Sequence, residues 1–128
     1  MNDNSNPSEQ LILQRVRNRI IEYFDLVSDA EAREQFGANY IINDWESWQD
    51  SELESVYPDP IFTVAERNAM AAFDLTWQLA VRVTSGDMPS ISSLRTTSYW
   101  QELTASASSA FSLFMQRGKL PEDREVTT

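Results

Sequence analysis

The sequence contains no cysteine, no histidine and only 3 glycines in 128 residues. Without cysteine there is no disulfide framework and no thiolate nucleophile. Without histidine there is no imidazole general base and no Ser-His-Asp triad. Ordinary zinc sites and Glu-x-x-His di-iron sites lose their ligands as well. Three isolated glycines, Gly37, Gly86 and Gly118, cannot cradle a phosphate. Serine is plentiful, but no Gly-x-Ser-x-Gly or Ser-x-x-Lys pattern surrounds it.

Long apolar runs are missing too. Leu11-Ile12-Leu13 is too short for a signal sequence or a membrane span, and Met1 to Ser8 carries no basic segment before it. The expectation is a soluble cytoplasmic protein. Asp50-x-Glu52-x-Glu54 opens like a calcium-binding EF-hand loop. Ser55 then stands where that loop needs glycine, and Ile61 where it needs glutamate. No metal and no cofactor is expected, and carboxylates that could pair for acid–base catalysis converge in no pattern. The chain reads as a non-enzyme.

What the sequence does contain favours helix. Hydrophobic residues make up 41%, enough for a core at a length that buries roughly two-thirds of the unfolded surface. Residues 1–7 should be a flexible tail, 8–118 a single helical domain and 119–128 a second flexible tail. Within the domain the first helix should span Ser8 to Val27, with Ile12, Val16, Ile20, Tyr23, Phe24 and Val27 as its apolar stripe. Arg15, Arg17 and Arg19 lie off that stripe, as a solvated face or as a counter-charge to the acidic stretch that follows. Ser28 to Glu31 reads as a capping box opening a short helix to Phe36, stopped by Gly37. A third helix should cover Tyr40 to about Gln49 and fray after Asp50, because Glu46, Asp50 and Glu54 repel at i, i+4 spacing. Val56 to Pro60, with two prolines, should not be helical.

Thr63-Val64-Ala65-Glu66 is the clearest capping box, and its helix should reach Thr84. Met70, Phe73, Trp77, Ala80 and Val81 make its face. Ala69, Ala72, Leu79 and Val83 widen that face until only Arg67, Ala71, Asp74, Gln78 and Arg82 are left for solvent, which places this helix at the centre. One short turn is expected within Ser90 to Thr96. Ser98 and Gln101 read as a third capping box, opening a last helix that ends at Arg117 before Gly118. The fold class is therefore all-α: a compact bundle of three long helices with one or two short ones. Trp77, Phe73, Met70, Trp100, Phe111, Ile20 and Phe24 are the expected core, each burial contributing ~1.5–3 kcal/mol.

Charge supplies the functional lead. From Glu22 to Asp59 there are 11 acidic residues against one base, Arg33; the other 9 acids and 9 bases cancel, so this window carries the whole net charge of −10. Tyr40, Trp45, Trp48 and Tyr57 lie in it. A one-signed field over aromatic residues attracts and then grips a basic surface, and it repels nucleic acid and anionic lipid. The reading is a non-enzymatic acidic protein-binding protein, most concretely an immunity or inhibitor protein for a basic toxin or nucleic-acid-processing protein. Asp44, Glu46, Asp50, Glu52 and Glu54 would face the partner, with Trp48 and Tyr57 as anchors. Two other readings compete. One is a structural or regulatory homodimer joined through the serine- and alanine-rich face of the 98–117 helix. The other is a small helical ligand-binding protein or enzyme using carboxylates.

Overall fold

The computed structural model describes residues 8–86 and 88–126. The expected N-terminal tail, 1–7, lies outside them, as do Asp87 and the last two residues. Seven helices and no strand occur among the described residues: α1 (Glu9–Ser28), α2 (Ala30–Phe36), α3 (Ala38–Trp45), α4 (Leu53–Val56), α5 (Val64–Val83), α6 (Ile91–Leu94) and α7 (Ser98–Phe114). The fold is all-α, and α1, α5 and α7 are its long members.

Local chemistry explains the boundaries. At α5 the Thr63 hydroxyl accepts from the Glu66 N–H and the Glu66 carboxylate accepts from the Thr63 N–H, both at 3.1 Å, the reciprocal pair the sequence announces. The other two expected boxes are corrected. Ser28 ends α1 and donates back to the Phe24 carbonyl, so Asp29 caps α2 instead, accepting from the Glu31 N–H. The cap of α7 is Thr97, whose hydroxyl donates to the Leu94 carbonyl and accepts from no helix N–H, and Gln101 reaches back to the Arg95 carbonyl. Gly37 joins α2 to α3 at φ 87 and ψ 162, a region open essentially to glycine alone. The third helix stops at Trp45 rather than near Gln49; residues 46–48 close tight turns onto the third carbonyl before them. Val56 is the last residue of α4, so the non-helical stretch starts one residue later than expected.

α5 packs mainly on α7, and α7 on α1. Of the expected core residues all are buried except Phe111, which is half-buried. An aromatic cluster joins the elements: Phe24 lies 5.2 Å from Phe73 and 5.8 Å from Phe114, and Trp45 lies 4.8 Å from Phe73. α3 is thus wedged into the core rather than laid across it. Its wedge is pinned by polar atoms: the Trp45 indole donates to Asp74 at 2.8 Å, the Trp77 indole to the Ile42 carbonyl at 2.8 Å, and the Tyr23 hydroxyl to the Ile41 carbonyl at 2.6 Å.

Three expectations about exposure are overturned. The N-terminal half of α1 departs from the apolar stripe: Ile12 is 47% exposed, whereas Gln14, Arg17 and Asn18 are buried; further along, Ile20, Tyr23, Phe24 and Val27 are buried as expected. The reason is that this half meets hydrogen-bonding partners. Arg17 pairs with Glu66 at 2.8 Å and donates to the Gly118 carbonyl at 2.6 Å. It is a buried link to the start of α5, neither a solvated charge nor a partner of the acidic window. Residues 119–126 do not stand free either; they run back along α1. Leu120 bonds to Asn18, Pro121 and Arg124 accept from Gln14, and Val126 bonds to Gln14 and Gln10. Lastly, α5 is not covered on most sides. Val64, Leu75 and Val83 are more than half exposed, although α7 and α4 pack on the helix, whereas Arg67, expected at the solvent side, is buried by its bonds to Tyr57, Asp59 and Phe62.

Candidate functional site

The acidic window forms the last turns of α1, then α2, α3, α4 and the loops between and after them. Glu22 pairs with Arg19 and Lys119, and Asp59 pairs with Arg67 at 2.8 Å. The remaining nine acids of the window make no ion pair among the described residues. Arg33, the one base inside it, turns away: its guanidinium donates to the Val27 carbonyl at the end of α1, 2.7 Å away, and burial pulls its pKa down. The field is therefore not cancelled from within.

It is not a single patch, however. Asp44 and Glu46 sit ~200° apart on the helical wheel, and α3 is wedged between neighbours. Asp44 emerges beside α1, in a hollow with Tyr23, Leu26, Tyr40 and Trp48. Glu46 emerges on the opposite flank, near Thr84 and Gly86. Asp50 lies over a groove against α5, with Asp74, Met70 and Leu75, and its carboxylate accepts from the Glu52 N–H at 2.8 Å. Glu52 and Glu54 are exposed beside and within α4. Asp44, Glu46 and Asp50 thus line three separate hollows.

The proposed anchors need a firmer correction. Tyr57 is buried and its hydroxyl donates to the Trp48 carbonyl at 2.5 Å, so it holds the α3–α4 turn and is not available to a partner. Burial, with the charge of Asp50, raises its pKa. Trp45 is wholly inside. Trp48 is half-buried, and its indole N–H is shielded without a hydrogen-bond partner among the described residues.

The aromatic pair that does face outward is Phe36–Tyr40. The rings lie 5.0 Å apart, and the residues are 47% and 43% exposed. Tyr40 belonged to the aromatic set of the window, but Phe36 looked like a mere helix end. Phe36 ends α2 and Tyr40 lies in α3, so no single-helix spacing links them; the turn at Gly37 brings the rings together. Asp29, which caps α2, and Glu31 and Glu34 within it are exposed. Asp44, half-buried, has its carboxyl pushed above the usual range by burial. Burial, then Asp44 and Tyr40, push the Tyr23 phenol well up.

Among the described residues no three acidic side chains converge as a metal site would require, and no helix is long and apolar enough to cross a membrane. Compared with family models, curated proteins and solved structures, the chain matches none.

Proposed function

We propose that this is a non-enzymatic protein that binds a basic protein partner through the acidic Glu22–Asp59 region, in its most concrete form an immunity or inhibitor protein against a toxin or nucleic-acid-processing protein. The observation that carries the reading is the set of nine acids of the window without an ion-pair partner among the described residues, in a stretch that also exposes the Phe36–Tyr40 pair. A surface that binds phosphates is positive, so a cluster of unpaired carboxylates meets it with steered, fast association. Exposed aromatic rings supply the desolvated contact that keeps the complex together. In this reading the contact centres on the α2–α3 corner, with Asp44, Glu46, Asp50, Glu52 and Glu54 extending the field around it.

Affinity capture at low and high salt tests this. The captured protein should be basic, and raising salt should release it, because exposed charges are screened within about 8 Å at physiological ionic strength. Changing Glu46→Gln, Asp50→Asn and Glu54→Gln together should slow association about tenfold or more, and Phe36→Ala should speed dissociation. Binding indifferent to both sets of changes would remove the reading.

A homodimer has an observation of its own. α5 leaves Val64, Leu75 and Val83 exposed beside α7, whose Ser108, Ser109 and Ser112 are also exposed. Such a dimer would show twice the chain mass in solution, unaffected by the acidic substitutions.

A further inference from the structure

The hollow between α1 and α3 has a composition that suits one kind of side chain. It is open, about 420 Å³ in volume, and lined by Arg19, Glu22, Tyr23, Leu26, Tyr40, Asp44 and Trp48. That volume falls in the ~300–1,000 Å³ range of small-ligand sites. Its charges are not equivalent. Glu22 is engaged by Arg19 and Lys119, and Arg19 is shared with Glu122. Asp44 has no hydrogen-bonded or ionic side-chain partner among the described residues. The nearby Tyr23 hydroxyl is directed to the Ile41 carbonyl instead. A half-buried carboxylate has lost part of its hydration without a compensating donor, and its raised pKa reflects that. Aromatic residues surround it, one of them, Tyr40, exposed and in contact with Phe36.

We propose that this hollow is a binding site for a guanidinium group, supplied by an arginine of the basic partner, with Asp44 as the counter-ion and Tyr40 and Trp48 as the apolar walls. The proposal rests on the basic-partner reading and gives that partner its central contact. Guanidinium is favoured over ammonium because its planar fork can pair with both oxygens of a carboxylate while its face stacks on aromatic rings. A compact ammonium can do neither and is harder to dehydrate.

The test is an NMR titration of the full chain with n-butylguanidinium, with n-butylurea as neutral isostere and n-butylammonium as cation without the fork, at constant ionic strength. The expected result is saturable shifts of the Tyr40, Asp44 and Trp48 backbone amides with the guanidinium and little change with the other two. Asp44→Asn should weaken binding about tenfold or more, and Tyr40→Ala, at an exposed position, should weaken it independently of any effect on the core. Glu102→Gln, on the exposed side of α7, should leave it unchanged. Shifts that never saturate, that spread evenly over all acidic residues, that occur equally with butylammonium, or that survive both Asp44→Asn and Tyr40→Ala would overturn the site. If the titration fails while salt-sensitive capture of a basic protein persists, the hollow is wrong and the wider reading stands. Loss of the capture itself removes the wider reading.

Discussion

Glu66 is a buried carboxylate at a junction of the fold. It closes the cap of α5, pairs with Arg17 at 2.8 Å and pairs with Arg117 at 2.8 Å, so one carboxylate ties α1, α5 and the end of α7 together. Burial opposes its ionisation, but hydrogen bonds from Arg17, Arg117 and the Thr63 N–H, with the charge of Arg17, outweigh it and hold the pKa below the usual range. A depressed carboxyl stabilises the fold above the ordinary glutamate range, about pH 4, and that stability is lost as pH falls through the lower native value. Glu66→Gln leaves Arg17 buried without its counter-charge and should cost ~3–5 kcal/mol near neutral pH. Denaturant unfolding across the acid range should show the variant losing less on acidification than the parent; equal losses would contradict the assignment. Asp44 has the opposite sign. Its carboxyl is raised by burial, so its ionisation destabilises the fold once pH rises above the ordinary aspartate range. Asp44→Asn should therefore raise the unfolding midpoint at neutral pH and leave it little changed in acid.

At the scale of elements, two connections decide the shape. Gly37 turns the chain between α2 and α3 with φ 87 and ψ 162, and a Cβ placed there would meet nothing within 4 Å. Gly37→Ala thus probes backbone strain alone and should cost ~1–3 kcal/mol. Gly86→Ala, also free of contacts and without a positive φ, should be close to neutral. Equal effects in thermal unfolding would show that the turn is not strained. The second connection is the C-terminal strap. Gln14 and Asn18 are buried polar side chains that bond to backbone groups of residues 120, 121, 124 and 126; Asn18 also donates to the Glu122 carboxylate, and Gln14 accepts from Gln10 as well. Removing 119–128 exposes or orphans both, at ~1–3 kcal/mol for each amide left unpaired. The truncated chain should unfold at clearly lower denaturant, whereas a free tail could be removed at no cost.

For the whole molecule, the net charge of −10 is concentrated on one side of the sequence and most of it lacks internal partners. Like charges held together oppose folding through self-repulsion, and salt relieves it. Added salt should raise the thermal midpoint. The combined Glu46→Gln, Asp50→Asn and Glu54→Gln variant should start higher and respond less. A midpoint insensitive to salt in both proteins would mean that the acids are too far apart to repel. A surface selected for folding alone would have no reason to keep this repulsion, which is why the charge is read as a binding feature.

The sequence by itself determined the all-α class, the three long helices and the electrostatic asymmetry, but neither α4 nor the number of short helices. The 3.6-residue recurrence of Met70, Phe73, Trp77 and Ala80 placed the buried face of α5, and Thr63 with Glu66 placed its start. These are legible because capping and periodicity are local, set by neighbours within one or two turns. Only the tertiary structure decided that Arg17 is buried, since its partner Glu66 lies 49 residues away, or that Gln14 faces inward, since Pro121 and Arg124 lie more than 100 residues on. The same holds for the site. Periodicity could not tell that wedging α3 into the core would take Trp45 inside, split Asp44 from Glu46 and leave Phe36 and Tyr40 outside. A side chain's exposure depends on which distant element covers it, and that is decided by how the helices pack, not by the order of residues along any one of them.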